Sequence, residues 1–252
     1  MGFRSRADAA AADFVTNLVA RLRPEDAERM SRRMLEAVDD VSANRWDAAK
    51  RRAGELPGQI RPEKVERLTS SFARELGAAG AAVGAAAVAP AVGTGATLFA
   101  AVAEFGYFTA RAGDLILTIA ALHGRNDPTI EERRAWVLAV LIYGSSAKDG
   151  FSQAVREASD AGSGAVDRRL PIATLQLANR VMSRSMLRRY GTQRGLIALG
   201  TALPIGLGAV FGAGANAGTI RKLARDADAF FARLPYSAID VGSTDITDRR
   251  LR

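Results

Sequence analysis

The sequence predicts an all-α, multi-helix bundle with no sheet, its centre built from Gly/Ala-rich helices. Three observations carry that prediction. Leu76 to Ala103 and Gly195 to Ile220 contain no charged residue across 28 and 26 positions. Aromatic residues are 6% of a chain that is 48% hydrophobic, and Ala and Gly supply much of the apolar count; helices approaching backbone to backbone suit that composition better than a core of large rings. No segment alternates apolar and polar residues between turn signals, as strands do.

Residues 1–12 read as a flexible start. Phe14, Val15, Leu18, Val19 and Leu22 then recur at helical spacing until Pro24. Pro24 opens the next helix, with Glu25 and Asp26 in its first turn and Met30, Met34, Val38 and Val41 as its apolar stripe. The next clear break is Leu56-Pro57-Gly58. A helix from about Pro62 carries Val65, Leu68, Phe72 and Leu76 on one face, and residues 13–75 form an N-terminal helical region of nearly balanced charge.

Pro90 and Gly93-Thr94-Gly95 divide the first charge-free run into two helical arms with a bend. From about Leu98 a helix runs through Leu122 and ends at His123-Gly124. Asp127-Pro128, with Glu131 and Glu132 in the next turn, is a helix start. Trp136 to Tyr143 is apolar on every side, which predicts a central, buried helix. A shorter helix with Phe151 and Val155 follows, then a Gly162-Ser163-Gly164 loop. Pro171 to Tyr190 is one amphipathic helix. Arg221 to Leu234 is a charged helix after the second run, and 236–252 is a flexible polar tail.

The chain has no cysteine, which excludes disulfides, thiolate metal sites and cysteine nucleophiles. Asp8 and Asp13 interrupt any leader-like apolar stretch, and Met1-Gly2-Phe3-Arg4-Ser5-Arg6 does not match a myristoylation signal, so neither form of targeting is expected. A net charge of +8 and a pI near 10.5 point to an anionic partner. An Arg- and Ala-rich composition also follows from a GC-rich genome, so the placement of the charge carries more than its total.

Glu104 to Asp114, followed by Leu115-Ile-Leu-Thr-Ile-Ala-Ala-Leu-His-Gly124, resembles a pattern of the EcsC family, in which an acid precedes an apolar helix ending in Ala-x-x-Tyr-Gly. His123 stands at the position of that Tyr. Asp127-Pro128, Glu131-Glu132-Arg133 and Val137 to Leu141 are similar to the family's next helix. Leu203-Pro204-Ile-Gly206 through Gly214-Ala-Asn216, then Arg221 to Arg233, is similar to its closing segment. The resemblance spans about residues 60–235 and marks 76–235 as an EcsC-like helical domain. It implies a bacterial, membrane-associated setting near an ABC-transporter pair linked to secretion, and supplies no catalytic residue.

Small residues recur three or four apart at Gly80, Gly84 and Ala87 and at Gly208, Gly212 and Ala215, the spacing of close helix contacts. Both runs exceed the length of about 20 residues that a spanning helix needs. Each has a central proline, however, and the second sets nine large apolar residues against seven glycines. A buried Gly/Ala-rich core, re-entrant or interfacial hairpins and full spanning remain alternatives. Arg188, Arg189 and Arg194 before the second run, with Arg221, Lys222 and Arg225 after it, argue against a single crossing.

Residues 168–194 hold seven arginines and no acid. Arg180, Arg184 and Arg188 recur one turn apart, with Arg189 beside them, while Leu175, Met182 and Met186 point largely the other way. Repulsion at i,i+4 makes such a stripe receptive to an external anion, and anionic lipid is the expected contact. The alternative is neutralisation by acids of the 25–55 region. Nucleic acid is disfavoured, because no aromatic platform or reading motif accompanies the arginines.

Glu104, Arg111 and Asp114 are charges set among apolar residues. They read as a buried ion-pair network, or as a polar cavity completed by Asn216. His123 has neither a second histidine nor a Ser/Asp arrangement to make a zinc site or triad. Gly212-x-Gly214-x-x-Ala217 lacks the βαβ setting of a dinucleotide fingerprint. No catalytic residue, metal ligand or cofactor is expected.

The sequence is thus read as a non-enzymatic helical protein on the cytoplasmic side of a bacterial membrane, peripheral or with re-entrant hairpins. It would contact anionic lipid and a membrane protein such as an ABC transporter. The alternative is a soluble cytoplasmic enzyme or ligand-binding bundle using the Glu104/Arg111/Asp114/Asn216 cavity.

Overall fold

The apolar stripes become the inner faces of helices. A computed structural model describes residues 24–87, 94–159, 169–190, 208–234 and 237–239, and side chains within 25–76, 106–159, 170–190 and 218–234. Helix α1 (Pro24–Asn44) begins at its proline and buries Met30, Met34, Val38 and Val41. Helix α2 (Trp46–Glu55) follows after an interruption at Arg45 that precedes the break at Leu56. Ser42 Oγ donates to the Val38 carbonyl at 2.6 Å, a back-bond that bends helices, and Trp46 turns into the core beyond it.

Helix α3 (Arg61–Ala87) buries Leu68, Phe72 and Leu76, and helix α4 (Thr94–Leu122) buries Leu115 to Ala120. Gly124, at φ 71°, ends α4: its N–H donates to the Ala121 carbonyl while that of Arg125 donates to Ala120. This paired bonding is the Schellman closure of a helix. Helix α5 (Ile130–Tyr143) starts at a capping box in which the Thr129 hydroxyl accepts from the Glu132 N–H and the Glu132 carboxylate accepts from that of Thr129. Its residues Ala135 to Ile142 are all buried, as expected for a helix apolar on every side.

Helix α6 (Ala147–Ala158) buries Phe151, and helix α7 (Ile172–Tyr190) buries Leu175, Met182 and Met186. Helix α8 (Gly208–Arg233) runs without interruption from the second charge-free run into the charged segment. The all-α bundle therefore stands. Its strand content among the described residues is one three-residue parallel ladder, β1 (Arg169–Pro171) against β2 (Ser237–Ile239), too small to form a layer. It places Pro171 opposite Ile239 rather than in the helix expected to begin there.

Helix α4 is central, packing against α1, α2, α3, α5 and α8. One hydrophobic cluster joins helices of the 13–75 and 76–235 regions. Four of its rings gather at one node: Trp136 meets Phe231 edge-on at 5.3 Å, Phe231 meets Phe230 at 5.1 Å, and Phe151 meets Phe230 at 6.2 Å.

The most extensive helix pairing is α3 with α8. Arg61, opening α3, approaches Asp228, near the end of α8, at 3.6 Å. Helices paired along their length through that contact must be antiparallel. Twenty residues on from Arg61 is Ala81, and twenty back from Asp228 is Gly208. The Gly-rich ends of the two helices thus lie together, about 30 Å from the Arg61 contact at 1.5 Å per residue. Gly80, Gly84, Gly208 and Gly212 lie on these helices, but the side chains facing them, the bend expected at Pro90, and Pro204 are outside the described set. Among the described residues no helix is long and apolar enough to cross a membrane.

Candidate functional site

Helix α7 separates an anchored inner face from a charged outer one. Asn179, fully buried, donates through Nδ2 to the Glu131 carbonyl at 3.0 Å and to its carboxylate at 2.7 Å. One Arg189 amino group donates to the Ile142 carbonyl at 2.9 Å. Anchors at 131 and 142 on α5 match 179 and 189 on α7, so the two helices run parallel. Burial of Leu175, Ala178, Met182, Met186 and Tyr190 completes the seam. Arg189, expected with the anion contacts, is exposed and also donates into the last turn of α5, where a cation opposes the free carbonyls.

Arg180, Arg184 and Arg188 face outward and are exposed. Leu177, one turn before Arg180, is 42% exposed and adds an apolar residue to the same face. Among the described residues no carboxylate pairs with these three arginines. Several acids of α1 and α2 are engaged elsewhere: Asp39 with Arg134 at 2.8 Å, Glu36 with Arg33 at 2.9 Å, Asp47 with Lys50 at 3.1 Å, and Glu28 with Arg32. Asp40 accepts from Asn44 at 2.8 Å.

Arg111 has a different environment. One of its amino groups donates to Asp114 Oδ2 at 2.6 Å and the other to the Glu75 carboxylate, and its guanidinium lies 4.5 Å from the Phe72 ring centre. Tyr107 donates to Glu75 at 3.1 Å. Burial opposes the Arg111 charge, but the hydrogen bond and charge of Glu75 and those of Asp114 outweigh it and hold the guanidinium above its ordinary value. Asp114 and Arg111 are joined as expected. The Glu104 and Asn216 side chains lie outside the described residues. Glu75 is the partner that sequence reading missed, since only packing of α3 on α4 brings residues 36 apart together.

His123 closes α4 against α8. Its Nε2 lies 2.7 Å from Asp228 Oδ1, and Asp228 also faces Arg61. Burial pushes the imidazole pKa below its ordinary value; the Asp228 hydrogen bond opposes this, and Arg61 and Arg125 add to it. Arg125 donates to the Phe231 and Leu234 carbonyls at 3.0 and 2.6 Å, covering the end of α8. Among the described residues no cluster of three His or acidic side chains could hold a metal ion.

Compared with protein-family models, curated proteins and solved structures, the chain matches none. The basic outer face of α7 is the strongest candidate for a functional surface.

Proposed function

We propose that this protein is a non-enzymatic helical membrane-associated protein that docks on anionic phospholipid through the outer face of α7. One observation carries the reading: Arg180, Arg184 and Arg188 stand exposed one turn apart without a carboxylate partner among the described residues, while neighbouring acids are engaged elsewhere. Such a stripe is self-repelling and is relieved by an external anion. The order of EcsC-like motifs adds a bacterial setting, on the cytoplasmic face and beside a membrane-protein partner such as an ABC transporter. The antiparallel contact of α3 with α8 offers the Gly-rich helices a protein partner, which supports peripheral attachment. The rival, a polar ligand cavity at Arg111, draws little from a guanidinium already engaged by Glu75 and Asp114.

The test is sedimentation with vesicles of phosphatidylcholine alone and of phosphatidylcholine with phosphatidylserine. Changing Arg180, Arg184 and Arg188 together to Gln should weaken binding to the anionic vesicles by about 3 kcal/mol, at about 1 kcal/mol per basic residue. Parent binding should also fall as salt rises, because such charges are screened over about 8 Å at physiological ionic strength. The melting temperature should stay near that of the parent. A lowered melting temperature with unchanged vesicle binding would overturn the proposal.

A further inference from the structure

A cleft of about 330 Å³ lies where α1 hands over to α2, closed on its other side by the α4–α5 loop and the first turn of α5. Asn44, Trp46, Asp47, Lys50, Asp127 and Arg133 line it. Its size is at the lower end of the range for small-molecule sites, about 300–1,000 Å³. Three features distinguish it from an ordinary surface dent.

Trp46 is only 6% exposed, and its indole Nε1–H, shut off from solvent, has no hydrogen-bond partner among the described residues. A buried donor left unpaired is costly and rare in a folded protein. Arg133 reaches only the Thr129 carbonyl, through a long 3.4 Å bond from Nε, and no carboxylate among the described residues pairs with it. Burial pushes its pKa down, against the pull of Asp47 and Glu132. The chain also accepts a strained backbone here: Asp127 sits at φ 42°, immediately before Pro128.

The charges are layered. The Asp47 and Asp127 carboxylates, 79% and 92% exposed, stand at the rim with Lys50 between them, at 3.1 and 3.8 Å. The more buried groups, the Trp46 indole and the Arg133 guanidinium, are donors. The start of α5 does not compete for the same ligand, because Thr129 and Glu132 already cap it.

We infer that this cleft binds a small molecule through a carboxylate or phosphate group, which accepts from the Trp46 indole N–H and the Arg133 guanidinium while Lys50 closes over it. Both oxyanions offer several lone pairs to converging donors. A metabolite-sized ligand fits the volume. The cleft shares no residue with the α7 stripe, so its test is independent of vesicle binding.

The chain has two tryptophans, and Trp136 packs in the core against Phe231, so W136F assigns the indole signals without touching the cleft. The full-length protein is titrated with sodium phosphate and, separately, sodium succinate, with sodium chloride of matched ionic strength as control. The Trp46 indole N–H resonance should shift downfield and saturate with one or both oxyanions. R133Q should weaken that binding by about tenfold, in the range expected for a lost charge-assisted bond. K50Q, at a half-exposed position, provides a second variant if R133Q melts lower. Phosphate against succinate decides which oxyanion is preferred. A response no larger than chloride gives, or saturable binding unchanged in both variants, would overturn the inference.

Discussion

Replacing Arg111 with Met tests the ion-pair network of α4, which joins Arg111 to Asp114 within the helix and reaches α3 through Glu75. Its Asp114 partner has a side chain only 3% exposed and would be left buried without its cation. Breaking a buried pair from one side costs about 3–5 kcal/mol. Glu75 is 41% exposed and can rehydrate, so its half of the network contributes at most about 1 kcal/mol. The guanidinium's stacking on Phe72 adds about 0.5–2 kcal/mol, part of which the Met side chain retains by packing. Arg111 is itself partly exposed, so the lower end is the better estimate, about 3 kcal/mol. For a chain of this size that is a fall in melting temperature of about 6–12 °C. Thermal and denaturant unfolding should be measured for Arg111→Met, Asp114→Asn and the double variant. The double variant should recover at least about 1 kcal/mol relative to the sum of the singles. Additivity within about 0.5 kcal/mol would refute the claim that the two side chains stabilise each other.

Gly113 and Gly54 should respond oppositely to alanine. A Cβ at Gly113 of α4 would meet Val41 Cγ1 of α1 at 2.7 Å, whereas one at Gly54 of α2 meets nothing within 4 Å. Gly113→Ala should destabilise by about 1–3 kcal/mol, offset in part by helix propensity, and Gly54→Ala should stabilise by about 0.5–1 kcal/mol; equal shifts in denaturation midpoint would contradict the packing. His123 carries a lowered pKa, so the unfolded chain binds its proton more readily than the fold does. Its contribution to stability is complete above the unfolded value near 6.5 and is lost as pH falls through the lower folded value. His123→Gln should therefore reduce the drop in melting temperature between pH 7.5 and pH 5.5, and an unchanged drop would assign it to other groups.

What the sequence made legible is what repeats along one helix. Trp136 to Ile142 became core because that segment is apolar on every side, and the Met30, Met34, Val38, Val41 stripe became core because helical period alone places those side chains. The α7 stripe was legible for the same reason. Arg45 was not, since no Pro or Gly marks it and the bend depends on a Ser42 hydroxyl choosing a backbone acceptor. The β1–β2 ladder has three residues per strand, too few to show alternation. Glu75 with Arg111, and His123 with Asp228, are joined only after α3, α4 and α8 pack. Nor did the low aromatic content reveal that Trp136, Phe151, Phe230 and Phe231 would gather at one node. The cleft at Trp46 joins the α1–α2 junction to a distant loop, and its strongest sign, an unpaired indole donor, is a property of the folded state.

The way this protein treats its arginines locates its excess charge. Three arginines meet a matched acceptor within the fold: Arg111 two carboxylates, Arg125 the closing carbonyls of α8, and Arg189 a carbonyl in the last turn of α5. Each satisfies a group that burial would otherwise leave short of a donor, so its positive charge is part of folding. Arg180, Arg184 and Arg188 satisfy no such group, yet they sit on a helix already fastened from within by Asn179 and Arg189. A genome rich in Arg codons raises both sets alike and gives no reason for the outer set to align. Because α7 is held without it, the outer row can be neutralised at little cost to the fold while its field toward an anionic surface is removed. Stability and vesicle binding should therefore separate cleanly at these three positions, as they should not at Arg111.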